Sequence, residues 1–232
     1  KDVGYAAPMP IDSPARWYVR VDGAYATHDE PLMVLNTDGA QYDYYNTNMD
    51  STWTLGGGVG LYVSSNVRAD VTVDHRFESD VTGHFQIPDC GGCNSYRMRS
   101  TNGLESTVAL VNFYYDFDTR SRFTPYIGIG LGAVHHSVKS GSATEEHGRA
   151  SAVIDGKSNW HVAGALMAGF SVALRERMHF DAGYRYLYLG ETATGDARFT
   201  YANGGPGDAA RDPTMEDLHA HEFRFGLRYV IR

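Results

Sequence analysis

Eight segments of this chain alternate residue by residue between apolar and polar, and the connections between them alternate in turn between short and long. A period of two is the signature of a strand with two unlike faces. In 17–26, Trp17, Val19, Val21 and Tyr25 stand against Arg20 and Asp22; from Val67, Val71, Val73 and Phe77 oppose Arg68, Asp70, Asp74, Arg76 and Glu78. At 178–190, Phe180, Tyr184, Tyr186 and Tyr188 oppose Asp181 and Arg185, and near the end Phe223, Phe225, Leu227 and Tyr229 oppose Glu222, Arg224 and Arg228. The segments 52–63, 104–117, 123–138 and 159–174 are small-residue versions of the same pattern. In 123–138, Gly128, Gly130 and Gly132 share one face, which is expected to leave room for bulky side chains from the adjacent strands.

Three connections are short (64–66, 118–122, 175–177), whereas four are long and polar (28–51, 79–103, 139–158, 191–217). Four structureless connections of such length are rare in a compact soluble domain. Tight turns on one side and long loops on the other are the habit of outer-membrane barrels. The expectation is an all-β chain: an eight-stranded antiparallel up-and-down transmembrane β-barrel over 16–232, preceded by a periplasmic tail, 1–15, with Pro8, Pro10 and Pro14. A start at Lys1 without a signal-peptide pattern is expected of a mature exported chain. The topology also sorts the aromatics into two interfacial belts. Trp53, Trp160 and Tyr188 fall at the long-loop rim, and Trp17, Tyr115, Phe117, Phe123 and Tyr229 at the short-turn rim. A soluble lipocalin-like barrel or sandwich leaves both loops and belts unexplained.

Composition narrows the function. With 232 residues, a net charge of −8 and no clustered Lys/Arg run, the chain is not a phosphate-backbone binder, so no nucleic-acid partner is expected. Its longest mainly apolar stretch, 162–174, falls short of the ~20 residues of a spanning helix. No cofactor-binding motif is present.

The stretches 125–132 (PYIGIGLG), 112–117 (NFYYDF), 181–186 (DAGYRY) and 221–229 (HEFRFGLRY) resemble the small eight-stranded outer-membrane barrels of the opacity-protein and porin-like surface-antigen type in Gram-negative bacteria. The resemblance covers about 17–231 and implies an outer-membrane location, contact with lipid and lipopolysaccharide, and insertion by the barrel-assembly machinery. Such barrels usually end in an aromatic residue, whereas this chain ends Tyr229-Val230-Ile231-Arg232. Either Tyr229 takes the terminal recognition role or targeting is less standard.

The polar face must point into the barrel. It carries Arg20, Arg68, Arg76, Arg185, Arg224 and Arg228 with Asp22, Asp70, Asp74, Glu78, Asp116, Asp181 and Glu222. So narrow an interior, nearly charge-balanced, reads as a salt-bridged plug, with a narrow ion path as the alternative. Cys90 and Cys93, separated by two glycines in the second long connection, are expected to form a loop-tip disulfide in an oxidising envelope. His135 and Ser137 share a face, as in the His-x-Ser pair of lipid A 3-O-deacylases, but no acid is placed to orient the base. His219 and His221 share a face near the outer rim, too few ligands for a metal site. Tyr42, Tyr44 and Tyr45 in the first long loop, with Phe199 and Tyr201 in the fourth, either recognise a partner or pack the loops together. The resulting expectation is a non-enzymatic surface protein with an envelope-integrity and adhesin-like role toward host or envelope proteins. A narrow channel and a lipid A-modifying enzyme are the alternatives, and the tail is a candidate for peptidoglycan contact.

Overall fold

The computed structural model describes residues 16–37, 41–87, 96–201 and 206–231. The strands are β1 (Arg16–His28), β2 (Leu32–Thr37), β3 (Gln41–Asp43), β4 (Tyr45–Met49), β5 (Thr52–Tyr62), β6 (Val67–Ile87), β7 (Tyr96–Asp116), β8 (Phe123–Val138), β9 (Gly141–Glu145), β10 (Ala150–Ile154), β11 (Lys157–Arg175), β12 (Met178–Ala193), β13 (Ala197–Tyr201) and β14 (Pro206–Val230). Eight of them, β1, β5, β6, β7, β8, β11, β12 and β14, pair antiparallel in chain order. The ring closes where β14 meets β1, Arg20 opposite Arg228 and Val21 opposite Leu227. No edge strand is left in this ring, which matters because an unpaired edge has no solvent to satisfy it in lipid.

Outward positions of the ring are apolar and uncovered. Val59, Val71, Ile129, Leu131, Val162 and Leu166 are each about half exposed or more. Trp53, Trp160 and Tyr188 are exposed toward one end, and Trp17, Tyr115, Phe117, Phe123 and Tyr229 toward the other, as the two-belt reading expects. The inward glycines make space. A Cβ at Gly56 or Gly226 would overlap the carboxylates of Asp74 and Asp22, and one at Gly130 would overlap the Asn112 amide.

The long connections differ from expectation, for they are largely β-structure. β6 and β7 run for 21 residues each, about 70 Å of strand, against an apolar band ~25 Å tall. Beyond that band a second ring forms. β14 pairs with β2, β2 with β3, β4 with β6, β6 with β7, β7 with β9, β9 with β10, β10 with β13, and β13 with β14. β3 and β4 are one strand bent at Tyr44, whose N–H donates to the Met33 carbonyl. The first barrel is thus prolonged into another, which shares β6, β7 and β14.

The second ring is filled by apolar side chains, with Met33, Leu35, Phe85, Met98, Ile154, Phe199 and Met215 buried together in a cluster continuous with Leu104, Val108, Val134 and Leu187 of the first ring. The alternation that builds it changes parity. A bulge between Arg76 and Ser79 turns the odd residues Ser79, Val81 and Phe85 inward, where the even ones had pointed before. A second re-registration between β12 and β14 occurs at Gly190 and Asp217, both in the left-handed region (φ 72° and 52°).

Replacing Phe85 by Ala removes a central side chain of this upper core, a change that typically costs about 3–5 kcal/mol. The expected result is protease cleavage within 28–51 and 79–103 while the lower barrel keeps its heat-modifiable migration on a gel. Equal resistance of variant and parent would contradict a role for this packing in holding the second ring closed.

Candidate functional site

Inside the lower ring six arginines meet six carboxylates. Arg20 grips Asp22 through two nitrogens at 2.7 Å each and reaches Asp70 at 3.0 Å. Arg224 binds Asp74 at 3.0 Å and Glu222 at 3.2 Å, and Arg185 bridges the same two carboxylates at 2.6 and 2.7 Å. Arg76 completes this knot by pairing with Glu222. Toward the short-turn end Arg68 binds Asp116 at 3.0 Å and Arg228 binds Asp181 at 3.1 Å. The Arg68 guanidinium lies between the rings of Tyr114 and Tyr126, 4.4 and 4.8 Å from their centroids.

Neutral groups complete the network. Tyr18 donates to Asp70 at 2.9 Å, and Asn112 donates to Asp70 at 2.8 Å. Tyr62 accepts from Arg228 at 2.7 Å. A cavity among Arg20, Asn112, Tyr126 and Arg224 holds only about 10 Å³, room for about one water. Above the network the interior turns apolar, with Leu104, Val108, Leu110, Val134, Leu187 and Leu218 all buried. Among the described residues the interior is thus charged below and apolar above.

Residues 5–230 match the family described as the outer membrane protein beta-barrel domain. The chain belongs to that family. It is similar to an uncharacterized protein of Brucella abortus (strain 2308), 28% identical over 265 residues that cover 97% of this chain and 88% of the relative. It is also similar to a Rickettsia bellii (strain OSU 85-389) protein provisionally named an adhesin, 25% identical over 216 residues, covering 93% and 88%. Among solved structures, the outer membrane protein OprG from Pseudomonas aeruginosa shares the fold with a TM-score of 0.51 at 16% identity, covering 93% of this chain and 96% of that one.

This outer-membrane barrel therefore sits in the bacterial outer membrane with its short turns periplasmic and its second ring extracellular. Against that frame, two groups of residues leave their expected places. Glu78, expected inside, is expelled by the Arg76–Ser79 bulge and pairs outside with Lys139 at 2.9 Å, which leaves the interior balanced at six and six. Tyr44 and Phe199, candidates for recognition, are core residues, each packed on Phe85 at 4.9 and 6.1 Å between centroids. Tyr45 is exposed on the outer wall and stacks on His84 at 5.9 Å. The side chains of Tyr42 and Tyr201, the pair Cys90 and Cys93, and the tail 1–15 lie outside what the structure describes.

His135 packs on Trp160 at 4.9 Å on the outer surface. His136, which points inward, bonds Ser106 at 2.8 Å and the Leu189 carbonyl at 2.9 Å. His219 and His221 are held by the hydroxyls of Tyr186 (2.9 Å) and Tyr184 (2.5 Å). Among the described residues no group of three or more His, Cys, Asp or Glu is placed to hold a metal. What sequence reasoning missed is the neutral part of the network: Tyr18, Tyr62 and Asn112 share the inward parity of the charged residues, and that parity was the available signal.

Two outcomes test these assignments. Glu222→Gln leaves Arg76 and Arg185 facing a neutral amide in a closed interior, a loss of about 3–5 kcal/mol, read as a lower urea midpoint in lipid vesicles. On the extracellular side, Glu145 caps the β9–β10 turn by accepting from the His147 and Arg149 N–H groups (2.8 and 3.0 Å) and the Arg149 guanidinium (2.7 Å). The Arg149 hydrogen bond, followed by the two N–H groups, holds its carboxyl well below the usual carboxylate range. A depressed folded-state pKa contributes stability above the unfolded value and loses it as pH falls through the folded one. Amide protection in 141–154 is thus expected to persist through mildly acidic pH in the parent and to be reduced over that range in Glu145→Gln, the difference closing once the pH is low enough to protonate the parent's carboxyl.

Proposed function

We propose that this protein is a non-enzymatic surface-recognition protein, adhesin-like, whose binding face is the outer wall of its extracellular ring. The observation that carries this reading is the ring itself. Segments that could have been loose loops form a closed wall around an apolar core, a rigid platform of the kind on which recognition residues are held. The similarity to a relative provisionally named an adhesin supports the same reading.

The extracellular segments (28–51, 78–106, 139–157 and 191–217) carry eighteen acidic against seven basic side chains. A partner that approaches this wall by electrostatic steering presents basic groups, or comes with divalent cations between. Tyr45 and Leu32, exposed on that wall at 41% and 50%, supply apolar contact area amid the acid. Lipopolysaccharide surrounds the wall, and envelope integrity is a second service of the same scaffold. Host proteins, envelope proteins and, for the tail, peptidoglycan belong to this proposal as partners.

The channel alternative has less support, since an ion would cross the paired charges and then the apolar layer from Leu104 to Leu218. The enzyme alternative has less support, since among the described residues the ring partner of His135 is Trp160 and no acid is placed on it. The decisive experiment displays the parent and a Tyr45→Ala/Leu32→Ser variant on cells and measures adhesion to host cells in rising salt. Salt-sensitive adhesion that drops several-fold in the variant supports the reading; adhesion equal to that of cells lacking the protein overturns it. In planar bilayers the purified barrel is expected to give no steady conductance.

A further inference from the structure

The periplasmic mouth of the barrel carries three lumen-side arginines that the buried network leaves unpaired. Directly opposite residues of paired strands share a face. Arg16 stands opposite Tyr62 and Tyr62 opposite Arg68, so the three form one row across β1, β5 and β6. Tyr62 fixes the side of that row, because its hydroxyl accepts from Arg228 inside the barrel. Thr124 is opposite Ser171, whose hydroxyl also meets Arg228; Arg122 lies two residues below Thr124, and its carbonyl accepts from the Ala173 N–H (2.9 Å). His179 is opposite Arg228, and the carbonyl of Arg177, two residues below His179, accepts from the Val230 N–H (2.8 Å). Arg175 differs, since a register shift after Ala173 sets it opposite Met178, on the parity of the exposed Tyr184.

Position and charge act together at this end. β1, β8 and β12 stand first, fifth and seventh in the ring of eight, so the three arginines come from opposite sides of the mouth. An eight-stranded interior is only about as wide as the side chains that fill it, which puts the axis within reach of all three. Arg16 and Arg122 are exposed and Arg177 is half-buried, and none of them makes a side-chain hydrogen bond or ion pair among the described residues. The acids at this end are otherwise engaged. Asp116 and Asp181 are held by Arg68 and Arg228 at 3.0 and 3.1 Å, and Asp118, exposed in the turn, accepts from the Arg120 N–H at 2.8 Å. Just inside the mouth Arg68 is wholly buried, yet neither of its terminal nitrogens has a hydrogen-bond partner among the described residues, Nη1 stopping 4.0 Å from Asp181. A buried cation with idle donors leaves its positive field uncompensated, and that field adds to the field of the three arginines below it.

We propose that the periplasmic mouth is an oxyanion-binding site, in which Arg16, Arg122 and Arg177 close on one carboxylate or phosphate group below the floor made by Arg68. The guanidinium fork matches the paired oxygens of either group. A mouth lined by one sign of charge concentrates anions in front of it, although the chain as a whole is acidic. Width selects the form of the ligand. A small free oxyanion fits between the three side chains, and so does the carboxylate end of a narrow chain such as a cell-wall peptide. The proposal rests on the strand register at the short turns and is independent of adhesion at the extracellular end.

The test folds the full chain in an uncharged maltoside detergent and titrates it with inorganic phosphate and with citrate, following backbone amide shifts by NMR at constant ionic strength. Saturable shifts are expected at 16–18, 122–124 and 177–179. Each of R16Q, R122Q and R177Q is expected to weaken binding about tenfold, the effect of losing one charge-assisted hydrogen bond, and R16Q/R122Q/R177Q to abolish saturation. R175Q, on the outward parity, is expected to bind as the parent does. Heat-modifiable migration checks folding, and should the triple variant not fold, the single variants carry the test. Isolated sacculi separate the two sources: retention of the parent that citrate displaces and the Gln variants lose identifies cell-wall carboxylates, and saturable shifts without retention identify a free oxyanion. No saturable shift with either probe, shifts that sodium chloride reproduces, undiminished binding in the Gln variants, or a loss in R175Q equal to that in R122Q overturns the proposal.

Discussion

A strand in lipid must find both of its neighbours within the protein, because hydrocarbon offers no partner for an unpaired N–H or carbonyl. The meeting of β14 with β1 meets that demand for the membrane ring, and the rest of the architecture depends on it. Once eight strands close, the interior is narrow, so inward side chains must be either small or mutually satisfied. Gly56, Gly130 and Gly226 answer the first requirement, for their faces admit Asp74, Asn112 and Asp22. Six ion-paired arginines answer the second.

The same closure principle reappears above the membrane, where it is not compulsory. Water could satisfy the backbone of the long connections, yet they form a second ring with an apolar filling. The filling is the reason. β6, β7 and β14 carry their alternation past the lipid band, and inward Val81, Phe85, Met98 and Met215 would face water if the wall were open. Covering them stabilises the ring by apolar burial, which continues upward the apolar layer that already lies above the ionic network in the first ring. Tyr44 and Phe199 serve this second core.

How far this was legible in the sequence follows from the length of each alternation. The lower barrel was readable because its strands show apolar residues on one parity and charge on the other without interruption, as in Val67 to Arg76. The upper ring was not, for its strands are short or shifted. One bulge at Arg76–Ser79 reverses the parity of Ser79, Val81 and Phe85, so Glu78 read as inward when it lies outside. β9, β10 and β13 have five residues each, too few for a pattern to stand out from a polar loop. Aromatic residues in such stretches look like recognition residues, since composition alone does not say which face of a strand a Tyr or Phe occupies. The charge network was legible in its ionised members and not in Tyr18, Tyr62 and Asn112, because a phenol or an amide announces no need for a partner until it is buried.

The net charge of −8 also resolves into compartments with different physical tasks. The interior sums to zero, as it must where an unpaired charge would be stranded away from water. The excess of acid is therefore not spread through the barrel; it lies in the extracellular segments, while the periplasmic turns carry the opposite sign. The two ends thus differ in charge: the extracellular segments are acidic, and the periplasmic turns are basic. The closed lower ring, continued through β6, β7 and β14, is what gives the strands above the membrane a defined height and orientation.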